Sequence, residues 1–240
     1  MPELPEWTVP AKPAELTYSR LIDAILEGTF PANSALPAER QLAEMLGVTR
    51  STLREALQRL ATDGWIEIQQ GRRTRVRDIW IEGNLNVLAA LVEHQAVLPD
   101  TFVPQLLDVR GALAPAYTRA AVQHNAARVV ALIDALVADL EDTPESFAHV
   151  DWLLHHGLTI LSTNPVYTLM INSFAGFYED MARMYFSLAE SRQNSREFYA
   201  DLRTAAAAGD TQAAGKVVDR VMQHSIALWH KATSQTTLDR

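Results

Sequence analysis

The chain has 240 residues, is 48% hydrophobic and 21% charged, and contains no cysteine. This composition is typical of a globular protein, and it excludes a disulfide framework, a cysteine nucleophile and a cysteine-ligated zinc site. The net charge of −8 is unevenly distributed, because residues 40–77 carry eight arginines and four acids while residues 81–240 carry 11 basic and 18 acidic residues. A basic segment joined to an acidic body predicts one domain that binds a polyanion and another with a different task. An ordinary salt-bridged surface is the alternative.

The first 13 residues, MPELPEWTVPAKP, contain four prolines and no apolar stretch. We therefore expect a flexible lead-in and not a signal peptide. No later apolar run approaches the roughly 20 residues that a membrane-spanning helix needs. These features predict a cytoplasmic protein that does not enter a membrane.

Residues 14–78 show helical and strand patterns in the order of a winged helix-turn-helix. An apolar stripe in residues 14–26 predicts a first helix, and a short second helix is expected to end at Gly47. Thr49 is the expected N-cap of a third helix, whose apolar face consists of Leu53, Ala56, Leu57 and Leu60. Alternating residues at 65–68 and 74–77 predict a hairpin with an arginine-rich tip.

The start of the third helix is unusually rich in hydroxyl and guanidinium groups. A helix N-terminus favours phosphate and can enter the major groove of DNA. Arg50 and Arg54 lie one turn apart and can reach guanine edges or phosphate, whereas Thr49, Ser51 and Thr52 allow close backbone approach. The pattern predicts a helix that binds double-stranded DNA. A three-helix core with a surface arginine cluster is the alternative.

Strand signals vanish after residue 81, and helices are predicted at residues 84–97, 102–123, 126–141, 144–162, 165–189, 191–208 and 211–232. Helices of this length joined by short links predict an antiparallel bundle of about seven helices, with residues 79–83 as a linker and 233–240 as a tail. The predicted fold class is mainly α: an N-terminal winged helix-turn-helix followed by an antiparallel all-helical bundle. We expect no enzyme, because the sequence has neither a nucleophile elbow nor a phosphate-binding loop.

The segment LPAERQLAEMLGVTRSTLREALQRLATDGWIEIQQGRRTRV resembles the DNA-binding domain of GntR-family regulators. The segments FVPQLLDVR, TNPVYTLMINSFAGFYEDMARMYF and IALWHK resemble the FadR branch of that family, in particular its acyl-CoA-responsive regulators of fatty-acid metabolism. The resemblance, together with the pattern of the third helix, implies DNA contacts by Arg40, Thr49, Arg50, Ser51, Thr52, Arg54, Gln70, Gly71 and Arg72. Gln70 stands where the family normally has a histidine. Because one winged helix covers little DNA, we expect a homodimer on a short palindromic operator.

The resemblance also implies that residues 84–232 form a domain for both effector binding and dimerisation. Long-chain acyl-CoA is the implied effector, Arg110, Tyr185 and Trp229 are the implied pocket residues, and no cofactor is required. Met222 and His224 stand where a glycine and a glutamate are expected, which leaves an altered pocket or an altered ligand open. Packing in the core is the alternative role for Tyr185 and Trp229.

The stretch HVDWLLHHGL offers a different chemistry. Asp151 and His155 are four residues apart and project from one helix face. Most members of the broader FadR branch use such a pair and two later histidines to hold a divalent metal that binds a small carboxylate effector. His224 matches the last histidine, and Tyr199 takes the remaining position. A metal site with Asp151, His155 and His224 is therefore an alternative effector site, and a buried polar pair is the simpler reading.

Overall fold

The computed structural model describes residues 12–69, 71–93 and 101–238. The chain divides into two compact units, Met1–Leu98 and Pro99–Arg240. Most of the predicted lead-in, the wing-tip residue Gln70 and the end of the helix predicted at residues 84–97 lie outside the described residues. Within the described residues, no helix is both long enough and apolar enough to cross a membrane.

The first unit is a winged helix-turn-helix followed by two further helices. Its helices are α1 (Pro13–Leu26), α2 (Glu39–Leu46), α3 (Arg50–Asp63), α4 (Ile79–Glu82) and α5 (Leu85–Glu93). Strands β1 (Ile66–Glu67) and β2 (Arg75–Val76) pair antiparallel, with Ile66 opposite Val76. The core between these elements contains fully buried side chains, among them Leu21, Ile22, Leu42, Leu53, Leu60 and Trp65. The predicted linker at residues 79–83 is largely the one-turn helix α4.

Local capping explains the limits of α3. The Thr49 side chain accepts a hydrogen bond from the Thr52 N–H at 3.2 Å, which satisfies one of the free donors at the helix start. Gly47 and Gly64 have φ values of 67° and 97°, in the left-handed region that glycine enters without strain. A Cβ at Gly64 would also lie 3.0 Å from the Asn84 side chain. The predicted ends of α2 and α3 are confirmed.

The part of the second unit that the structure describes consists of helices packed against one another. They are α6 (Phe102–Ala138), α7 (Pro144–Leu161), α8 (Pro165–Asn172), α9 (Ala175–Phe186), α10 (Ala189–Ala207) and α11 (Thr211–Leu238). Non-helical angles at Asn125 divide α6 at the position where two separate helices were predicted. The single helix predicted at residues 165–189 was wrong, because the chain breaks between α8 and α9. The all-helical architecture of this unit is confirmed.

The core of the second unit positions the candidate ligand site. Helices α6, α7, α10 and α11 contribute most of its fully buried side chains, including Ala121, Val129, Phe147, Leu158, Leu202 and Val218. Helix α8 differs from these, since it has no buried residue and leaves Val166 and Leu169 more than half exposed. Its opposite face, with Tyr167, Met170 and Ile171, covers a cavity between the helices.

Candidate DNA-binding surface and ligand cavity

The start of α3 is an exposed, polar helix end. The Thr49 hydroxyl lies 2.9 Å from the Ser51 hydroxyl and 2.8 Å from the Thr52 hydroxyl, so the three groups form one hydrogen-bonded cluster. Arg50 is exposed and has no ion pair with any residue that the structure describes. A free guanidinium beside the free N–H groups of a helix start is suited to bind phosphate or a base edge.

Arg54 lies one turn further along and is held by an acid from the preceding helix. Its Nε donates to Glu39 Oε2 at 2.7 Å, while 60% of the Arg54 side chain remains exposed. The bond uses only Nε, so both terminal nitrogens remain available. Arg40 is also exposed, with its Nε 3.9 Å from Glu44 Oε1.

Other arginines of the basic segment stabilise the unit itself. Arg75 is paired with Glu67 and Glu82 and donates to Asn33 at 2.8 Å. Arg59 lies over the Tyr18 ring at 4.1 Å. By contrast, Gly71 and Arg72 are exposed at the hairpin tip, and Gly71 has a φ of 75°. The positive charge that can face DNA is therefore concentrated at the starts of α2 and α3 and at the hairpin tip.

The second unit encloses a mostly apolar cavity of about 130 Å³. Arg110 from α6, Tyr185 from α9 and Trp229 from α11 all line it, so the three side chains predicted to bind an effector meet at one site. The Tyr185 hydroxyl lies 3.1 Å from the Ser225 hydroxyl. Met222 is buried in the same wall. The remaining lining side chains are largely aliphatic and aromatic, including Val103, Leu106, Leu113, Met170, Phe174 and Phe198.

A charged pair lies at one side of this cavity. Arg110 Nη2 donates to Asp151 Oδ2 at 2.8 Å, and the Tyr178 hydroxyl donates to the same oxygen. The Arg110 guanidinium also lies 5.2 Å from the centre of the Tyr178 ring. Behind the pair, Tyr117 Oη and His155 Nδ1 are 2.7 Å apart. His155 Nε2 is 3.6 Å from Asp151 Oδ1, too far for a hydrogen bond, and has no other partner.

Burial and charge fix the protonation states of this cluster. Burial, assisted by the nearby Arg110, lowers the pKa of His155 to about 3, so its imidazole is neutral at physiological pH. Burial alone would raise the pKa of Asp151, but attraction to Arg110 and the hydrogen bonds from Tyr178 and Arg110 together outweigh it, so the pKa falls below its ordinary value. Burial raises the pKa of Tyr117 and of Tyr178, which remain hydrogen-bond donors. The cluster therefore contains one positive and one negative charge.

Of the three residues of the alternative metal site, His224 does not join Asp151 and His155. No group of three or more histidine, aspartate or glutamate side chains could hold a metal ion among residues 12–69, 71–93 and 101–238. His224 is exposed, whereas Asp151 and His155 are buried and Asp151 is already paired with Arg110. Tyr199 is buried, and burial raises the pKa of its hydroxyl, which disfavours the anionic form that binds metal. These residues do not fit a divalent cation.

Several residues of both sites were not predicted from the sequence. Tyr117 follows Arg110 by seven residues and so shares its helix face, a spacing that could have revealed it. Tyr178 and Glu39 had no such signal, because each meets its arginine only through tertiary packing.

A basic winged helix-turn-helix joined to an all-helical unit with a mostly apolar cavity defines a DNA-binding transcriptional regulator. Two family models match: "Bacterial regulatory proteins, gntR family" over residues 13–76 and "FadR C-terminal domain" over residues 77–239. The chain belongs to the FadR family of GntR-type regulators. Members of this family are regulators, which confirms that the chain is not an enzyme.

Two curated relatives agree with this family, and a solved structure shares the fold. The "Fatty acid metabolism regulator protein" of Shewanella oneidensis is 43% identical over 196 residues, covering 82% of this chain and 81% of that protein. The protein of the same name from Shewanella amazonensis is 42% identical, covering 79% of each chain. A solved Listeria monocytogenes structure, described as "Lar controls the expression of the Listeria monocytogenes agr system and mediates virulence", has a TM-score of 0.59 at 17% identity. It covers 94% of this chain and 99% of its own, and it shows the fold alone.

Proposed function

We propose that this chain is a cytoplasmic transcriptional regulator of fatty-acid metabolism whose DNA binding is relieved by long-chain acyl-CoA. The observation that carries the effector assignment is the cavity shared by Arg110, Tyr185 and Trp229. The relatives named fatty acid metabolism regulators support the biological role.

On the DNA side, α3 enters the major groove with its N-terminal end. Arg50 and Arg54 bind base edges or phosphate, and Thr49, Ser51 and Thr52 allow the backbone to approach. Arg40 binds phosphate, and the wing tip with Gln70, Gly71 and Arg72 contacts the adjacent groove. Two copies bind the two halves of a short palindrome, since specific affinity usually needs more contact than one such unit offers.

On the effector side, the apolar wall of the cavity receives the acyl tail. The thioester end lies near Arg110, which has five N–H donors and uses only some of them on Asp151. The cavity is smaller than the roughly 300–1,000 Å³ of typical ligand sites, so a long tail must displace side chains or helices. Helix α8 is suited to move because it covers the cavity and contributes no fully buried side chain to the core.

Relief of DNA binding then follows from unequal affinities. Acyl-CoA lowers DNA affinity only if it binds more tightly to the arrangement in which the two recognition helices lose their groove spacing. Each tenfold loss of DNA affinity requires about 1.4 kcal/mol of such preference.

The test is a titration of DNA-bound protein with palmitoyl-CoA, followed by the anisotropy of labelled operator DNA. We expect release by palmitoyl-CoA and a much weaker response in Arg110→Ala, with Arg128→Ala, which alters an exposed arginine of the same unit, as the matched control. The titration is repeated with divalent metal and small dicarboxylates after chelator treatment. Release only by metal and carboxylate, lost in His155→Ala, would refute the acyl-CoA assignment.

A further inference from the structure

We propose that Asp151 determines which form of a fatty acid the cavity accepts: it neutralises Arg110, so the cavity takes a neutral acyl thioester and rejects a free carboxylate. This inference rests on the proposed effector function and names a selectivity within it. Sequence patterns suggested only a metal ligand or a buried polar residue at this position.

The first support is the charge balance of the cavity. Arg110 and Asp151 are the only charged side chains among the described residues that line it. They face each other at 2.8 Å, and the Asp151 side chain is only 7% exposed. The one positive charge available to a ligand is therefore already paired before any ligand enters.

The second support is the surroundings of the pair. The Tyr178 hydroxyl donates to the same Asp151 oxygen that Arg110 binds, which holds the carboxylate in place. His155 cannot supply a second positive charge, because burial lowers its pKa to about 3. Tyr117 and Tyr185 are neutral, since burial raises the pKa of both hydroxyls. Nothing in the cluster compensates a further negative charge.

The consequence differs for the two forms of the ligand. A free carboxylate close enough to bind Arg110 also approaches Asp151, and like charges in a site of low dielectric repel strongly. If it displaced Asp151 instead, it would leave that carboxylate buried and unpaired. A thioester carbonyl carries no net charge and can accept from the remaining N–H donors of Arg110.

The test compares palmitate, below its micelle-forming concentration, with palmitoyl-CoA by calorimetry on the full chain. In the wild type we expect palmitate to bind at least 100-fold more weakly. In Asp151→Asn, which keeps an oxygen facing Arg110, palmitate affinity rises at least tenfold while palmitoyl-CoA affinity does not rise. Asp134→Asn is the matched control, since Asp134 is also paired with one arginine, Arg203, but on the surface. Its ligand preference stays that of the wild type.

Further variants keep the inference open to refutation. The double variant Arg110→Gln with Asp151→Asn has no free cation, so palmitate affinity stays low. If Asp151→Asn does not fold alone, palmitate added during refolding should restore the folded protein, and failure to do so overturns the inference. An unchanged ligand preference in a folded Asp151→Asn also overturns it. Absence of palmitoyl-CoA binding in the wild type would refute the proposed effector itself.

A second inference comes from the recognition helix. We infer that Glu39 is a positioning residue for base readout, because it holds Arg54 by Nε at 2.7 Å and leaves both terminal nitrogens free. Two parallel N–H groups are what a bidentate contact to guanine requires. Glu39 belongs to α2 and Arg54 to α3, so the bond fixes the guanidinium across the helix-turn-helix.

An acid near DNA repels phosphate and so lowers affinity, whereas an acid that positions an arginine improves discrimination between sequences. Because these two effects are opposite, the inference is testable. Glu39→Ala removes a negative charge, so affinity for unrelated DNA should rise, while discrimination against an operator altered at one guanine should fall about threefold to tenfold. Glu44→Ala, which removes the partner of Arg40, should raise the affinity for the operator and for unrelated DNA alike, without changing discrimination against the altered operator. Glu39→Gln, whose amide oxygen still accepts a hydrogen bond, should keep part of the discrimination that Glu39→Ala loses. Full discrimination in Glu39→Ala would overturn the inference.

Discussion

The buried histidine predicts a measurable loss of stability in mild acid. His155 is fully buried, and its pKa is about 3 in the folded protein, against 6.5 as its ordinary value. Because the folded pKa is the lower one, the unfolded chain takes up the proton first, and stability falls as the pH drops from about 6.5 toward 3. Each pH unit well inside that window costs about 1.4 kcal/mol, and lowering the pH from 7.5 to 5.5, which only enters the window, should cost about 1 kcal/mol.

The assay is urea unfolding of the full chain between pH 7.5 and 5.5, followed by circular dichroism. His155→Phe keeps an aromatic ring against Phe198, whose ring centre is 6.0 Å away, and removes the titrating group. The variant should be less stable overall by about 1–3 kcal/mol, because the Tyr117 hydroxyl loses its partner. Its stability should nevertheless depend less on pH, by about 1 kcal/mol over this range.

Two comparisons decide this prediction. His224→Gln removes an exposed histidine of the same unit and should keep the wild-type pH dependence. Asp151 cannot produce the effect, because its folded pKa is lowered and its contribution is lost only below the ordinary range of an aspartate. The reasoning fails if His155→Phe loses as much stability between pH 7.5 and 5.5 as the wild type does.

Three further predictions address the helix cap, the DNA contact and the cavity. Thr49→Ala and Thr143→Ala each remove an N-cap hydrogen bond of 3.2 Å and should each cost about 1 kcal/mol of stability, but only Thr49→Ala should weaken DNA binding in anisotropy titrations. Arg50→Ala should lose about 1–3 kcal/mol of preference for the operator, and equal operator binding by Arg50→Ala and the control Arg128→Ala would contradict the contact. Met222→Ala should cost about 2–5 kcal/mol in urea unfolding and enlarge the cavity, so palmitoyl-CoA should gain affinity relative to octanoyl-CoA; an unchanged ratio would argue against a tail near Met222.

The sequence alone determined the features that depend on neighbouring residues. Thr49 caps α3, and Gly47 and Gly64 end α2 and α3, because capping bonds and left-handed glycines act within one helical turn. The apolar spacing of Leu53 and Leu60 likewise fixed which side of α3 is buried. Such signals were enough to predict a winged helix-turn-helix and a helical second unit.

The break between α8 and α9 shows where local signals end. The two residues between the helices, Ser173 and Phe174, are neither proline nor glycine, and the turn forms through backbone hydrogen bonds from the Ser173 N–H to the Met170 carbonyl and from the Phe174 N–H to the Ile171 carbonyl. The positions of α8 over the cavity and of α9 against α7 depend on contacts across the whole second unit, and not on neighbouring residues alone. The helical pattern of residues 165–189 continues through the break, so it predicted one helix where the chain folds into two.

The chemistry of the cavity was decided only by tertiary structure. The sequence correctly predicted that Asp151 and His155 share a helix face, since that follows from four-residue spacing. What faces them could not be predicted, because Arg110 lies 41 residues away and Tyr178 27 residues away along the chain. The fold brings an arginine to Asp151 and leaves His224 at the surface. The spacing of Asp151 and His155 is typical of a metal site, but long-range packing pairs Asp151 with Arg110, so this side of the apolar cavity has no net charge.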